Sequence, residues 1–328
     1  MENPKKQHSL FWPILLIGIG VICLLVNFNV IAPVSVGTFV RFWPMLLVLI
    51  GLEILFGRRN SWVGGVVGIL TVGLVIFFLI FGPSTGVSTS PQSSVDVYSA
   101  PLGNTTHVNY NLETASESVE ISALKDNTNL IYARLAHQGT INFDVSGETN
   151  KTVSLSENYN SDSWLNWNFS FDETKWEIGL APAIPTDLSL DGGSGSLNVD
   201  LSSLQLGSLT ASLGSGSSIF YLPESKTPIE ASFDSGSGSV NIVLPKFTTI
   251  TVTLMSGSGS IHIDIPDGAE VRIEVSDSGS GSLSLPDSLT RVSGDVETGV
   301  WESAGYATAV NPIYIHIVDR GSGSISID

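Results

Sequence analysis

The chain has 328 residues and is acidic, with 14 Lys+Arg against 31 Asp+Glu and a formal net charge of −17. Its single cysteine excludes an intrachain disulfide framework, and it excludes zinc sites built from four cysteines or from two cysteines and two histidines. Its mean hydropathy of +0.28 is high for so acidic a chain, which implies that apolar and charged residues occupy separate regions.

The acidic charge is concentrated after residue 82. Glu2 and Glu53 are the only acidic residues before that point, so 29 of the 31 Asp+Glu follow it, against nine of the 14 Lys+Arg. The region that follows residue 82 therefore carries a net charge of −20. Such a charge repels nucleic-acid phosphates, so we expect no nucleic-acid partner.

Residues 11–82 contain three apolar stretches, at 11–28, 42–57 and 62–81, after a short N-terminus at 1–10. A bilayer core about 30 Å thick needs roughly 20 helical residues. The third stretch has this length, and the first two lie near the lower limit. Each stretch also has a tryptophan at its start, where an indole prefers the membrane interface. The pattern predicts three transmembrane helices in the lipid bilayer.

Basic residues set the predicted orientation. Lys5 and Lys6 precede the first stretch, Arg58 and Arg59 lie between the second and third, and Arg41 is the one basic residue of the remaining loop. Because basic loops favour the cytoplasm, the N-terminus is predicted to be cytoplasmic. Three spans then place the rest of the chain outside the cell membrane.

Two glycines in the third stretch, Gly64 and Gly68, form a small-xxx-small pair. Such a pair lets two helices approach closely. It is one route by which the chain would form a homo-oligomer, although the motif is common by chance.

Residues 83–96 are rich in Gly, Ser, Pro and Thr and predict a flexible linker. Alternating apolar residues, as at 140–145, predict strands in an N-terminal β region at 97–183. The end of this region is rich in tryptophan, which favours a cap over an exposed core end, with a ligand cage as the alternative. The tryptophans are Trp164, Trp167 and Trp176.

A repeat occupies 184–328. Gly-Ser-Gly-Ser occurs six times, at steps of 21 or 22 residues until a last step of 42, which implies a replaced or expanded repeat in 283–320. Apolar residues alternate on both sides of each copy, and a Leu-Pro or Ile-Pro pair ends most strands that follow it. Each unit therefore predicts a strand, a proline turn, a strand and a Gly-Ser corner. Because no unit can bury its apolar face alone, stacking into an all-β solenoid is expected.

Glycine at the corners is expected to supply dihedral angles closed to other residues. Gly236 and Gly238 in particular are expected at positive φ. The twelve corner glycines are Gly193, Gly195, Gly214, Gly216, Gly236, Gly238, Gly257, Gly259, Gly279, Gly281, Gly321 and Gly323.

Four aspartates precede alternate corners at spacings of 42 or 43 residues. This longer period allows a coil of about 43 residues in place of 21, with the carboxylates stacked along one edge. The aspartates are interpreted as Asx-turn residues, and an acidic ladder that collects calcium is the alternative. They are Asp191, Asp234, Asp277 and Asp319.

We find no catalytic motif in the repeat region. G-x-S-x-G does not occur around the Gly-Ser corners, and the sequence has no H-E-x-x-H, no phosphate-binding loop and no dinucleotide fingerprint on a strand–helix unit. His107 and His137 are isolated in sequence, and His262 and His316 alternate with strand isoleucines, which indicates a solvent-facing position. We therefore expect no enzymatic activity, no cofactor and no metal site.

Two parts of the sequence resemble a known family. The hexapeptide Phe-Trp-Pro-x-Leu-Leu at 11–16 recurs at 42–47, and this resembles the LiaI/LiaF-type transmembrane region of bacterial envelope-stress proteins. The β half is similar to the toastrack domain of the same proteins, which is adhesin-like. The residues that carry this second resemblance are Ile184, Pro185, Leu188, Ser189, Leu190, Gly193, Ser194, Gly195, Asp200, Leu201, Leu222, Pro223, Trp301, Gly305 and Tyr306.

The resemblance implies a membrane-anchored toastrack protein that modulates a two-component pathway responding to cell-wall-active antibiotics. Its expected partner is a membrane histidine kinase or a related envelope-stress protein, contacted in the membrane or through the β-domain surface. The alternative is a structural or adhesive surface protein that binds envelope polymer or assembles with itself.

Overall fold

The computed structural model describes residues 94–158, 175–277 and 279–328, together with six helical residues of the apolar region: Leu16, Ile17, Val66, Ile69, Leu70 and Gly73. The rest of the three predicted spans, Gly64, Gly68, Trp164 and Trp167 lie outside the described residues. Among the residues it does describe, no helix is long and apolar enough to cross a membrane.

The described part of the β domain lies within one compact unit, Ser93–Asn160 with Glu173–Asp328, and is built from two sheets. In spatial order, the first sheet contains β1 (Ser94–Pro101), β4 (Asn129–His137), β7 (Lys175–Leu180), β3 (Ser118–Ala123), β9 (Leu197–Asp200), β11 (Ser217–Tyr221), β13 (Ser239–Val243), β15 (Ser260–Asp264), β21 (Ser324–Ile327) and β17 (Ser282–Ser284).

The second sheet contains, again in spatial order, β18 (Thr290–Gly294), β19 (Gly299–Glu302), β16 (Val271–Val275), β20 (Ile313–Asp319), β14 (Ile250–Ser256), β12 (Ile229–Ser235), β10 (Gln205–Leu213), β8 (Pro185–Gly192), β2 (His107–Thr114), β6 (Asn150–Asn158) and β5 (Thr140–Ser146). A short 3-10 turn, Tyr306–Thr308, precedes β20.

Successive repeats stack in parallel, and each adds one strand to each sheet. Ser217 pairs with Ser239 and Ser239 with Ser260, while Ile229 pairs with Ile250 in the other sheet. These register steps are one coil of 21 or 22 residues. The coil of about 43 residues is therefore wrong, and the chain forms a two-sheet β-solenoid. Two coils, β2/β3 and β6/β7, lie before residue 184, and β1 begins at Ser94, within the predicted linker.

The core lies between the sheets and is formed by the inward-facing residues of the alternating pattern. Phe220 and Phe233, from opposite sheets, meet edge to face with their ring centroids 5.0 Å apart. Trp176 is fully buried, and its indole N–H donates to the Ala136 carbonyl at 3.2 Å. Tyr110 donates its hydroxyl to the Leu130 carbonyl at 2.6 Å, and burial raises the pKa of this phenol. Trp176 is therefore a core residue near the end of the stack.

Spatial order departs from chain order at both ends of the stack. The first coil of the chain, β2/β3, lies between β6/β7 and β8/β9. The last coil, β20/β21, is inserted between β14/β15 and β16/β17. Antiparallel strands close the two ends, β1, β4 and β5 at one end and the β18–β19 hairpin at the other. The hairpin and the 3-10 turn occupy the long step between the last two Gly-Ser corners.

Candidate interaction surface

The Gly-Ser corners form a stack of closely apposed backbone segments. Each corner donates backbone N–H groups to carbonyls of the coil below it. Gly236 N–H donates to Leu213 O at 2.7 Å and Gly257 N–H to Ser235 O at 2.6 Å. On the other side of the corner, Ser260 N–H donates to Gly238 O at 3.0 Å. The corners thus continue the parallel hydrogen bonding from one sheet to the other.

This close approach explains the glycines. A Cβ on Gly216 would lie 1.7 Å from the Gly195 carbonyl oxygen, and one on Gly238 would lie 1.9 Å from Gly216 O. Real Cβ atoms do not approach backbone atoms so closely, so only glycine fits. The expectation of positive φ at Gly236 and Gly238 is wrong, because neither is among the positive-φ glycines of the described residues.

Two corner glycines do adopt positive φ, and both belong to the displaced end of the stack. Gly279 has φ of +52° and Gly321 has φ of +61°. In each case an aspartate two residues earlier accepts the glycine N–H: Asp277 Oδ1 at 3.0 Å and Asp319 Oδ1 at 2.8 Å. These two aspartates act as Asx-turn residues.

The four aspartates do not form a continuous ladder. Through the register, Asp191 faces Ser212, Ser212 faces Asp234, Asp234 faces Met255 and Met255 faces Asp319. Asp191, Asp234 and Asp319 each have one coil between them and are about 9–10 Å apart at 4.7–4.9 Å per strand. Only Asp277 and Asp319 lie in adjacent coils. A calcium ion needs oxygens within 2.3–2.6 Å of itself. Of the residues that can be described, no three His, Cys, Asp or Glu side chains are placed to hold a metal.

The corner serines line a shallow groove of about 680 Å³ that runs along the stack. Their hydroxyls are exposed, and neighbouring coils connect them: Ser239 donates to Ser217 at 3.1 Å and Ser280 donates to Ser322 at 3.2 Å. We call this surface the serine groove. Its lining residues are Ser215, Ser217, Ser237, Gly238, Ser239, Ser258, Gly259, Ser260, Ser280, Gly281, Ser282, Ser322, Gly323 and Ser324.

The serine groove presents hydroxyl groups at the spacing of the coils, about 4.8 Å. Each hydroxyl can donate one hydrogen bond and accept two, so the groove suits a polar, extended partner. Its described lining residues are serines and glycines and include no base or acid that would activate a serine hydroxyl. The repeat predicted the corners, but the sequence does not show that their serines line one continuous surface.

The histidines are less isolated than the sequence indicates. His107 Nε2 lies 3.2 Å from Asp187 Oδ2. His137 is buried, and its Nε2 lies 2.9 Å from Asp96 Oδ2 and 3.1 Å from Ser94 Oγ. Ser94 and Asp96 contact the same ring nitrogen of His137, whereas in a catalytic triad the serine and the aspartate contact opposite ring nitrogens. The His137 cluster therefore fastens β1 to β4 and does not activate Ser94.

The coil β2/β3 has a corner that the repeat pattern missed. It reads Ala115-Ser116-Glu117-Ser118, and Gly193 and Gly195 stack against Ala115 and Glu117. Ser118 and Ser196 share a hydrogen bond of 2.9 Å between their hydroxyls. Gly193 and Gly195 stack closely on this corner although it contains no glycine of its own, and only its serine spacing was visible in the sequence.

Two family models match the chain. Residues 10–55 match the LiaI-LiaF-like transmembrane region, and residues 86–243 match the N-terminal domain of toast_rack. No curated protein matches.

Three solved structures of bacterial proteins are similar to parts of this chain. A candidate cell adhesion protein from Clostridium sporogenes is 17% identical, with a TM-score of 0.46 over 72% of this chain and 99% of that one. A candidate adhesin from Bacteroides fragilis is 12% identical, with a TM-score of 0.29 over 73% and 99% of the two chains. A candidate lipid-binding protein from Parabacteroides distasonis is 10% identical, with a TM-score of 0.21 over 71% and 97%. These values are too low to transfer any function.

The two family matches lie in the two regions that the sequence distinguishes, an apolar N-terminal part and an acidic β part. The chain therefore joins a LiaI-LiaF-like transmembrane region to a toast-rack N-terminal domain, a combination that fits a membrane envelope protein.

Proposed function

We propose that this protein is a non-enzymatic modulator of cell-envelope stress sensing that acts through protein contacts. The observation that carries the proposal is the presence of both regions on one chain, a LiaI-LiaF-like membrane region and a toast-rack domain. In this arrangement the membrane region anchors the protein next to a membrane histidine kinase or a related envelope-stress protein. The β domain supplies the contact surface, and the serine groove is its extended polar part.

We further propose that three helices at 11–28, 42–57 and 62–81 cross the membrane and place the β domain outside. The support is the distribution of basic residues, two before the first stretch and two between the second and third.

Cysteine labelling tests this orientation. In a Cys23→Ser background, Val310→Cys introduces one thiol at a side chain that is 89% exposed. A membrane-impermeant maleimide should label it in intact cells. Ser9→Cys, in the N-terminal segment, should be labelled only after permeabilisation. The reverse pattern would show that the domain faces the cytoplasm.

A structural or adhesive role is the second candidate, and the serine groove favours it independently. A regular array of hydroxyls suits the repeating hydroxyl and amide groups of an envelope polymer.

Deletion of the gene distinguishes the two functions. Under the stress-sensing proposal, a reporter of the envelope-stress pathway should respond abnormally to a cell-wall-active antibiotic, and a plasmid copy should restore the normal response. An unchanged reporter response together with lost adhesion or weakened envelope integrity would contradict this proposal and favour the adhesive role.

A further inference from the structure

Three polar atoms without a hydrogen-bond partner lie in one row inside the solenoid. Among the described residues, five buried side-chain nitrogen or oxygen atoms have no such partner, and three of them are Ser235 Oγ, Ser256 Oγ and Arg320 Nε. Each of these residues directly precedes a corner glycine. We call them the inner row. Buried polar atoms in native proteins are nearly always satisfied, so a cluster of exceptions indicates a missing partner.

The register makes the three residues neighbours. Ser235 pairs with Ser256 between β12 and β14. Met255 pairs with Asp319 between β14 and β20, so the next residues, Ser256 and Arg320, face each other. Adjacent coils are about 4.8 Å apart. Ser235, Ser256 and Arg320 keep only 1%, 5% and 8% of their surface exposed.

A β-bulge turns Arg320 inward. In β20, Ile313, Ile315 and Ile317 are buried, and strict alternation would place residue 319 in the core. The register with β14 shifts between Leu254 and Met255, where Val318 is the extra residue. One extra residue reverses the alternation, so Asp319 faces solvent and Arg320 faces the interior. β16 has the same extra residue before its corner, since Val275 and Gly279 are as far apart in sequence as Ile317 and Gly321, and these two strands pair without a register shift.

The guanidinium of Arg320 has no carboxylate partner among the described residues. Its Nε is buried without a hydrogen-bond partner, while the side chain as a whole keeps 8% of its surface exposed. A guanidinium remains protonated in proteins, and a largely buried charge is costly unless it is paired. None of the ion pairs formed by the described side chains includes Arg320. The carboxylates of Asp319 and Asp277 are exposed and accept the N–H groups of Gly321 and Gly279. Both carboxylates therefore lie on the outer side of the corner.

We propose that the inner row binds a small inorganic anion of the size of chloride, between Arg320 Nε and Ser256 Oγ. The guanidinium N–H and the serine hydroxyl both donate, and an anion supplies the negative charge that a water molecule lacks. Ser235 extends the line of hydroxyl donors by one coil. Because β20/β21 separates β14/β15 from β16/β17, the bound anion fixes the inserted last coil to its neighbour.

Anion exchange at constant ionic strength tests the site. Thermal unfolding of the full-length protein in non-ionic detergent is followed in sodium chloride and in sodium gluconate, whose anion is too large for the inner row. The melting temperature should be about 2–4 °C higher in chloride. Arg320→Met should abolish the difference, whereas Arg291→Met, which removes an exposed guanidinium, should preserve it.

Ser256→Ala covers the case in which Arg320→Met does not fold. It removes one donor and should raise the half-saturating chloride concentration about fivefold. Crystals soaked in bromide should show an anomalous peak beside Arg320. Equal melting temperatures of the wild-type protein in both salts would overturn the proposal and indicate water in the row. A chloride effect that Ser256→Ala leaves unchanged would also overturn it.

Discussion

Replacing Gly216 with alanine should destabilise the protein by about 3 kcal/mol or more, or prevent folding. The new Cβ would lie 1.7 Å from the carbonyl oxygen of Gly195 and 2.7 Å from its carbonyl carbon. Both are backbone atoms in the middle of the stack, so two coils would have to separate and lose the hydrogen bonds between their corners. Chemical denaturation of the purified protein measures the change in the free energy of unfolding.

Gly268→Ala is the matched control. Gly268 has φ of +74° and nothing within 4 Å of an added Cβ. This substitution should cost only the left-handed backbone penalty, about 1–2 kcal/mol. A larger loss for Gly268→Ala than for Gly216→Ala would show that dihedral angle, and not the stacking of coils, is what requires glycine.

Ending the chain after Pro312 should unfold the far end of the solenoid. This truncation removes β20 and β21, which are the parallel neighbours of β16 and β17 in the two sheets. Residues 266–311 should then lose amide hydrogen-exchange protection. The coils from β8 to β13 should keep theirs, since each coil of a solenoid depends mainly on its direct neighbours.

Val310→Ser is the control for changes in the loop before β20. The Val310 side chain is 89% exposed, so this substitution should leave amide exchange protection unchanged. Persistent protection of β16 in the truncated protein would contradict the expectation. It would mean that β16/β17 docks directly on β14/β15, as the 22-residue step from Gly257 to Gly279 would allow.

Periodicity in the sequence was enough to predict the strands and the core of the repeat region. Leu197, Val199 and Leu201 alternate with polar residues, and all three are buried. The same alternation recurs after each corner because every coil buries the same face. The coil length remained ambiguous because the aspartates repeat at twice the true period. The pairing of Ser217 with Ser239 resolves it.

The order of the coils could not be predicted from the sequence. A parallel strand pairs equally well with the preceding repeat or with a distant one of the same pattern. The insertion of β20/β21 between β14/β15 and β16/β17 is therefore visible only in the structure. Arg320 faces the interior because Val318 is an extra residue in β20. Strict alternation of inward-facing and outward-facing residues would place Asp319 there instead.

The candidate surface was predictable only in part. The repeated Gly-Ser-Gly-Ser locates the corners. It does not show why glycine is needed there, because positive φ and close stacking of the coils both require glycine. Gly236 and Gly321 have the same place in the repeat, yet only Gly321 has positive φ. The contact between His137 and Asp96, residues 41 positions apart, depends on the antiparallel pairing of β1 with β4 and left no sequence motif.

Site-specific photo-crosslinking in native membranes tests the central claim most directly. A photoreactive amino acid at Ser258, in the serine groove, is compared with one at Ser203, an exposed residue in the turn between β9 and β10. If the β domain acts through protein contacts, Ser258 should yield a discrete crosslink to a membrane signalling protein, and Ser203 should not. Crosslinks only to envelope polymer, or equal products from both positions, would contradict the proposed role.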